Sequence, residues 1–180
     1  MFARALVESL IDDNFDVAVC ERLPNDGARQ GMPHAFGFIL RRIMADAPPP
    51  TIPIFVNAGE GVNRPRTSRC LAFGHALRRA LDAFPVDLRV AVVSSGGLSH
   101  FTVDEELDRR VIKAMQDGDE PALAAIPEAY FRGNTCEIKN WYPTVAIMND
   151  YRRRLQMIDY VPCYRTNAGT GQGMAFASWE

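Results

Sequence analysis

A chain of 180 residues, 47% hydrophobic and 23% charged, suits one domain and can bury on the order of 70% of its unfolded surface. Its 20 Lys and Arg against 22 Asp and Glu leave a net charge of -2, so nothing argues for a nucleic-acid or membrane-surface partner. No apolar run reaches the roughly 20 residues that span a bilayer, and Cys20, Cys70, Cys136 and Cys163 lack the paired spacing of zinc or redox sites. A cytoplasmic protein with reduced thiols is expected.

In chain order, Phe2, Leu6 and Leu10 recur at helical spacing up to Asp12 and Asp13, and Glu8 inside this stretch argues against a signal peptide. Residues 15–20 read as a short strand, residues 23–33 as a polar loop ending at His34, and residues 35–44 as a short helix with Arg41 and Arg42 on its polar side. Pro48, Pro49 and Pro50 form a stiff connector before a second strand at 52–58. Cys70, Phe73, Leu77, Leu81 and Phe84 then repeat every three or four positions, an amphipathic helix that carries His75 on its outer, solvated side.

Residues 88–93, Leu-Arg-Val-Ala-Val-Val, are almost continuously apolar, as in a strand covered on both faces. The run ends at Gly96 and Gly97, which allow a sharp turn or close approach to a ligand. Thr102 and Glu105 have capping-box spacing, so His100 is expected just before a helix start, where the macrodipole favours the neutral ring. That ring can act as a proton acceptor at the end of a strand, or it can be a polar turn histidine with no chemistry. Leu107, Val111 and Met115 form the stripe of the following helix, which Gly118 ends, and Pro121 opens another that Pro127 interrupts. Trp141, Val145 and Met148 share a helix face, a last strand is expected at 157–164, and the Gly-rich tail from Thr166 to Glu180 is apolar enough to pack back on the domain. Strands alternating with helices give an α/β single domain, with a central mixed or parallel sheet flanked by helices.

Two further residues bear on chemistry. Glu137 follows Asn134 at capping spacing, so it either closes a helix start or presents a carboxylate to a metal. His34 either lines a pocket or is exposed.

Ser-Gly-Gly-Leu-Ser-His at 95–100, Gly-Asn-Thr-Cys-Glu-Ile-Lys-Asn-Trp at 133–141 and Gly-Thr-Gly-Gln-Gly-Met-Ala-Phe at 169–176 together resemble the catalytic subunit of class III extradiol ring-cleavage dioxygenases, the protocatechuate 4,5-dioxygenase type. The resemblance covers nearly the whole chain, 1–180, with the blocks in order. It implies a non-haem Fe(II) enzyme that opens a catechol-type ring with O₂ in aromatic catabolism. The family's iron is held by two histidines and a glutamate, an arrangement that leaves positions open for diol and oxygen. By this resemblance Glu137 is the iron ligand, His100 the catalytic acid/base and His34 a second, substrate-binding pocket histidine. The two iron histidines of the family belong to an N-terminal segment that precedes the first residue here, so Fe(II) is expected to be incompletely liganded and the chain nearly inactive. Its partners would be an aromatic diol, O₂ and either further copies of itself or a small subunit covering core surface. The alternative is a binding or assembly subunit of the same fold without an iron site.

Overall fold

The helices form where apolar residues recur with helical spacing. In the computed structural model, which describes residues 1–22, 31–59 and 61–180, α1 (Phe2–Asp12) buries Leu6 and Leu10. The chain divides into two compact units, Met1–Phe55 and Val56–Glu180. The first holds α1 and α2 (His34–Arg42), which occupies most of the helix expected at 35–44, and the Phe36 and Phe55 rings lie 4.8 Å apart. Most of the loop expected at 23–33 lies outside the described residues.

The second unit begins with α3 (Thr67–Ala83), whose inner stripe includes Cys70, Gly74 and Leu77. It packs against α6 (Trp141–Asp150), in which every residue from Trp141 to Ile147 is buried, as expected of a helix that is apolar nearly all round. The two helices meet closely at Gly74, where a Cβ would lie 2.3 Å from the Pro143 carbonyl oxygen. Only a glycine permits that approach. Between them run α4 (Glu105–Asp117) and α5 (Glu120–Ala124), then two 3₁₀ stretches, Glu128–Tyr130 and Gly133–Asn140. Leu98, Val111, Met115, Phe131, Ile138 and Tyr142 form the centre of the core.

The sheet is a hairpin of β2 (Leu155–Tyr164) and β3 (Thr170–Trp179), with the short β1 (His100–Thr102) on the other edge of β3. Both pairings are antiparallel, in the order β1-β3-β2. The α/β class stands, but among the described residues the sheet is antiparallel where a mixed or parallel one was expected. The segments expected as strands at 15–20, 52–58 and 88–93 have no regular secondary structure and no ladder partners among the described residues, and two of them hold tight turns in which the Val17 and Ala58 amides donate to the Phe15 and Val56 carbonyls. An apolar extended run becomes a strand only when a second backbone offers matching donors and acceptors, and at 88–93 Val93 is 54% exposed. The Gly-rich tail is itself the central strand. Gly171, Gly173, Ala175 and Ala177 alternate with Gln172, Met174, Phe176 and Ser178, a period of two in residue size that places the small set on one face.

Thr102 ends β1 instead of capping a helix. Asp104 is the N-cap of α4, its carboxylate accepting the Leu107 amide at 2.9 Å, and Gly118 closes the helix in the left-handed conformation at φ 67°. No helix among the described residues is long and apolar enough to cross a membrane.

Candidate active site

Gly96 and Gly97 are needed for close approach. A Cβ on Gly96 would sit 2.8 Å from the Glu137 carbonyl oxygen, and one on Gly97 would sit 2.3 Å from His100 Cε1 and 2.5 Å from Gln172 Nε2. Without those side chains, the His100 ring, the Gln172 amide and Glu137 converge on one turn. The Trp141 indole N–H donates to the Gly96 carbonyl at 2.9 Å and ties this turn to the start of α6.

His100 lies on β1, paired in register with Gln172 of β3, and not directly before a helix. Its backbone is fastened to Thr135, whose hydroxyl accepts the His100 amide at 3.0 Å and donates to the His100 carbonyl at 2.8 Å. Its Nδ1 is 2.9 Å from the Leu98 carbonyl oxygen. A carbonyl only accepts, so Nδ1 carries a hydrogen, and in the neutral ring the lone pair is on Nε2. Nε2 lies 4.0 Å from Glu137 Oε2, with the His100 side chain 10% exposed and that of Glu137 32% exposed.

Glu137 does not cap a helix. The 3₁₀ stretch that contains it has no side-chain cap, and Glu137 Oε2 instead accepts the Gly97 amide at 3.0 Å. The carboxylate is therefore aimed at the glycine turn and toward the proton-accepting side of His100. The fold brings these two residues together, while His34 opens α2 in the first unit with an exposed side chain.

Three neighbours escape a reading of the sequence alone. Thr135 is inside the block that contains Glu137, and the alternating tail marks Gln172 as a strand residue. Asp108 is hidden among the charges of α4, yet it is fully buried. All four thiols are free, and burial pushes the Cys70 pKa up to about 11 and raises that of Cys136, which makes these two poor nucleophiles.

His75 is half-buried and not simply solvated. Its Nδ1 meets Asp150 Oδ2 at 2.8 Å and its Nε2 meets Glu120 Oε2 at 2.9 Å, linking α3 to α5 and α6. Burial alone would lower its affinity for a proton, but the bonds and charges of Asp150 and Glu120 outweigh it, and the pKa is raised above 6.5. A pKa raised on folding stabilises the protein fully below the unfolded value and loses that contribution as pH rises through the folded value. The melting temperature is therefore expected to fall from pH 6 toward pH 9, and His75→Gln should flatten that part of the profile, as read by thermal melts of both proteins.

Among the described residues no group of three His, Cys, Asp or Glu could hold a metal ion. Glu137 offers a carboxylate at the turn, but the facial set of two histidines and a carboxylate is not assembled around it. The described residues therefore do not fit the iron that the resemblance implies.

Residues 1–171 match the family model described as the catalytic LigB subunit of aromatic ring-opening dioxygenase. The chain is 39% identical over 100 residues to a 2,3-dihydroxyphenylpropionate/2,3-dihydroxicinnamic acid 1,2-dioxygenase of Comamonas testosteroni, an alignment covering 54% of this chain and 28% of the relative. A Rhodococcus sp protein of the same name is 36% identical over 129 residues, covering 68% of this chain and 37% of the relative. A gallate dioxygenase of Pseudomonas putida is 32% identical over 101 residues, covering 54% and 27%. The aligned part of the chain thus spans only 27% to 37% of the length of these relatives.

Proposed function

Because the chain belongs to the family of the catalytic LigB subunit of aromatic ring-opening dioxygenases, we propose that it provides the proton-transfer part of an extradiol ring-cleaving site acting on a catechol-type diol with O₂. The observation that carries this reading is the His100 ring, with Nδ1 held by Leu98 and Nε2 directed to the side of the turn where Glu137 Oε2 lies 4.0 Å away. The relatives' names all give compounds with adjacent ring hydroxyls, and a vicinal diol is the substrate class proposed here.

His100 Nε2 takes the proton of a diol hydroxyl in this scheme and returns it to an oxygen after ring opening, a role that requires a base able to release what it accepts. The Nδ1–H bond to Leu98 holds the ring while Nε2 changes between acceptor and donor. Gln172, paired with His100, can hydrogen-bond a second substrate oxygen. Glu137 is the carboxylate proposed to face Fe(II), and since the described residues do not complete a ligand set, no step is routed through the metal.

The test is oxygen uptake with 2,3-dihydroxyphenylpropionate or gallate under excess Fe(II), first by the purified chain and then by the same chain preceded by a segment that supplies two iron-binding histidines. Little or no uptake is expected of the chain by itself, and diol-dependent uptake that rises with added iron, with formation of the ring-opened product, is expected of the extended protein. No uptake by the extended protein at any iron concentration would overturn the enzymatic reading. If diol binding then survived chelation, the chain would be a binding subunit.

A further inference from the structure

Asp108 has no exposed surface, yet it lies in a helix whose neighbouring residues are charged. Its Oδ1 accepts the Ser99 amide at 2.8 Å, and its Oδ2 accepts the Ser99 hydroxyl and the Tyr160 hydroxyl, each at 2.8 Å. Ser99 Oγ in turn accepts the Asp104 amide at 2.9 Å, joining this network to the start of α4. Gly173 makes room for it, since a Cβ there would lie 2.0 Å from Asp108 Oδ2.

The Ser99 N–H and the Leu98 C=O belong to one planar peptide and point in opposite directions. Asp108 receives the N–H end of that peptide, and His100 Nδ1–H donates to the C=O end at 2.9 Å. A carboxylate on the N–H end fixes the peptide plane and polarises the carbonyl, which becomes a stronger acceptor. Thr135 holds the His100 backbone only, and with Glu137 Oε2 no nearer to Nε2 than 4.0 Å, the hydrogen bond that directs the ring is the one to the Leu98 carbonyl.

We propose that Asp108 is a positioning residue for His100, acting through the Leu98–Ser99 peptide to keep the ring proton on Nδ1 and leave Nε2 open. The role rests on the reading of His100 as the acid/base, but the relay itself needs neither iron nor substrate. Its readout is therefore the tautomer of His100, measured by long-range ¹H–¹⁵N correlation of the imidazole in the full chain at a pH where imidazoles are neutral.

The wild-type protein is expected to show mainly the Nδ1–H form. Asp108→Ala should lower the ratio of Nδ1–H to Nε2–H roughly tenfold, and the isosteric Asp108→Asn, which keeps an acceptor without the charge, should restore part of it. Tyr160→Phe removes a donor from the same carboxylate without touching Ser99 and should leave the ratio within about twofold of wild type. If Asp108→Ala does not fold, Asp108→Asn decides, with an expected fall of about threefold. An unchanged ratio in a folded Asp108 variant, or an equal shift in Tyr160→Phe, would overturn the relay. A tautomer shift together with no oxygen uptake by a protein extended to supply two iron-binding histidines would refute the proposed reaction and leave this inference standing.

Discussion

His100→Gln is expected to lower diol-dependent oxygen uptake by about 10²–10⁴-fold, the usual contribution of a positioned general acid/base. The glutamine amide can reach a substrate hydroxyl, so KM should change little. It cannot hold a proton and return it, so the loss falls on kcat. The measurement is steady-state oxygen uptake with Fe(II) in excess for both proteins, each preceded by a segment that supplies two iron-binding histidines. The same protein should melt close to wild type, because the His100 backbone bonds to Thr135 do not involve the ring. A variant that retains more than about a tenth of the wild-type kcat would remove His100 from the chemistry.

The second large effect is on stability. Lys139 is fully buried, its ammonium 2.7 Å from Glu128 Oε2 and 2.8 Å from the Pro65 carbonyl, above the face of Phe131 at 5.3 Å. Glu128 Oε1 accepts the Thr67 amide at the start of α3. Burial pushes the Glu128 carboxyl up, but Lys139 and the Thr67 amide more than reverse this and hold it below its ordinary range.

Glu128→Ala would strand a buried cation, which costs about 3–5 kcal/mol. Against a total stability of roughly 5–15 kcal/mol, this should lower the melting temperature by about 10 °C or more. Lys139→Met is expected to cost less, because Glu128 is 22% exposed and can turn to water and the Thr67 amide. Removing both charges as Glu128→Ala with Lys139→Met should recover part of the loss, since the double variant leaves no buried cation without a partner. Denaturant melts of the four proteins measure the coupling directly. Equal stability of Glu128→Ala and wild type would show that the pair contributes nothing.

The helices and the chemistry-bearing blocks are legible in the sequence. α1, α3, α4 and α6 satisfy their own backbone bonds within a few residues, so the spacing of Leu6 and Leu10, of Cys70 and Leu77, and of Leu107, Val111 and Met115 is enough to announce them. Gly118 marked the end of α4 for the same local reason. The blocks around His100 and Glu137 could be read as a pair only by resemblance, and their meeting across the glycine turn is a fact of tertiary structure.

Strands depend on partners from elsewhere in the chain. Apolarity at 88–93 therefore suggests a strand that finds no ladder among the described residues, while the Gly-rich tail, expected only to pack back on the domain, is the central strand β3. Side-chain environment escapes the sequence for a similar reason. Nothing in the letters separates Asp108, buried under Ser99 and Tyr160, from the exposed acids beside it, or shows that His75 is held by Asp150 and Glu120. Local periodicity determined which segments are helices. Only the packing of distant segments decided the antiparallel sheet, whose ladder pairs His100 with Gln172, and the surroundings of the His100 turn, because the bond from His100 to Leu98 is local while those that hold the turn and its carboxylate come from Thr135 and Tyr160, far along the chain.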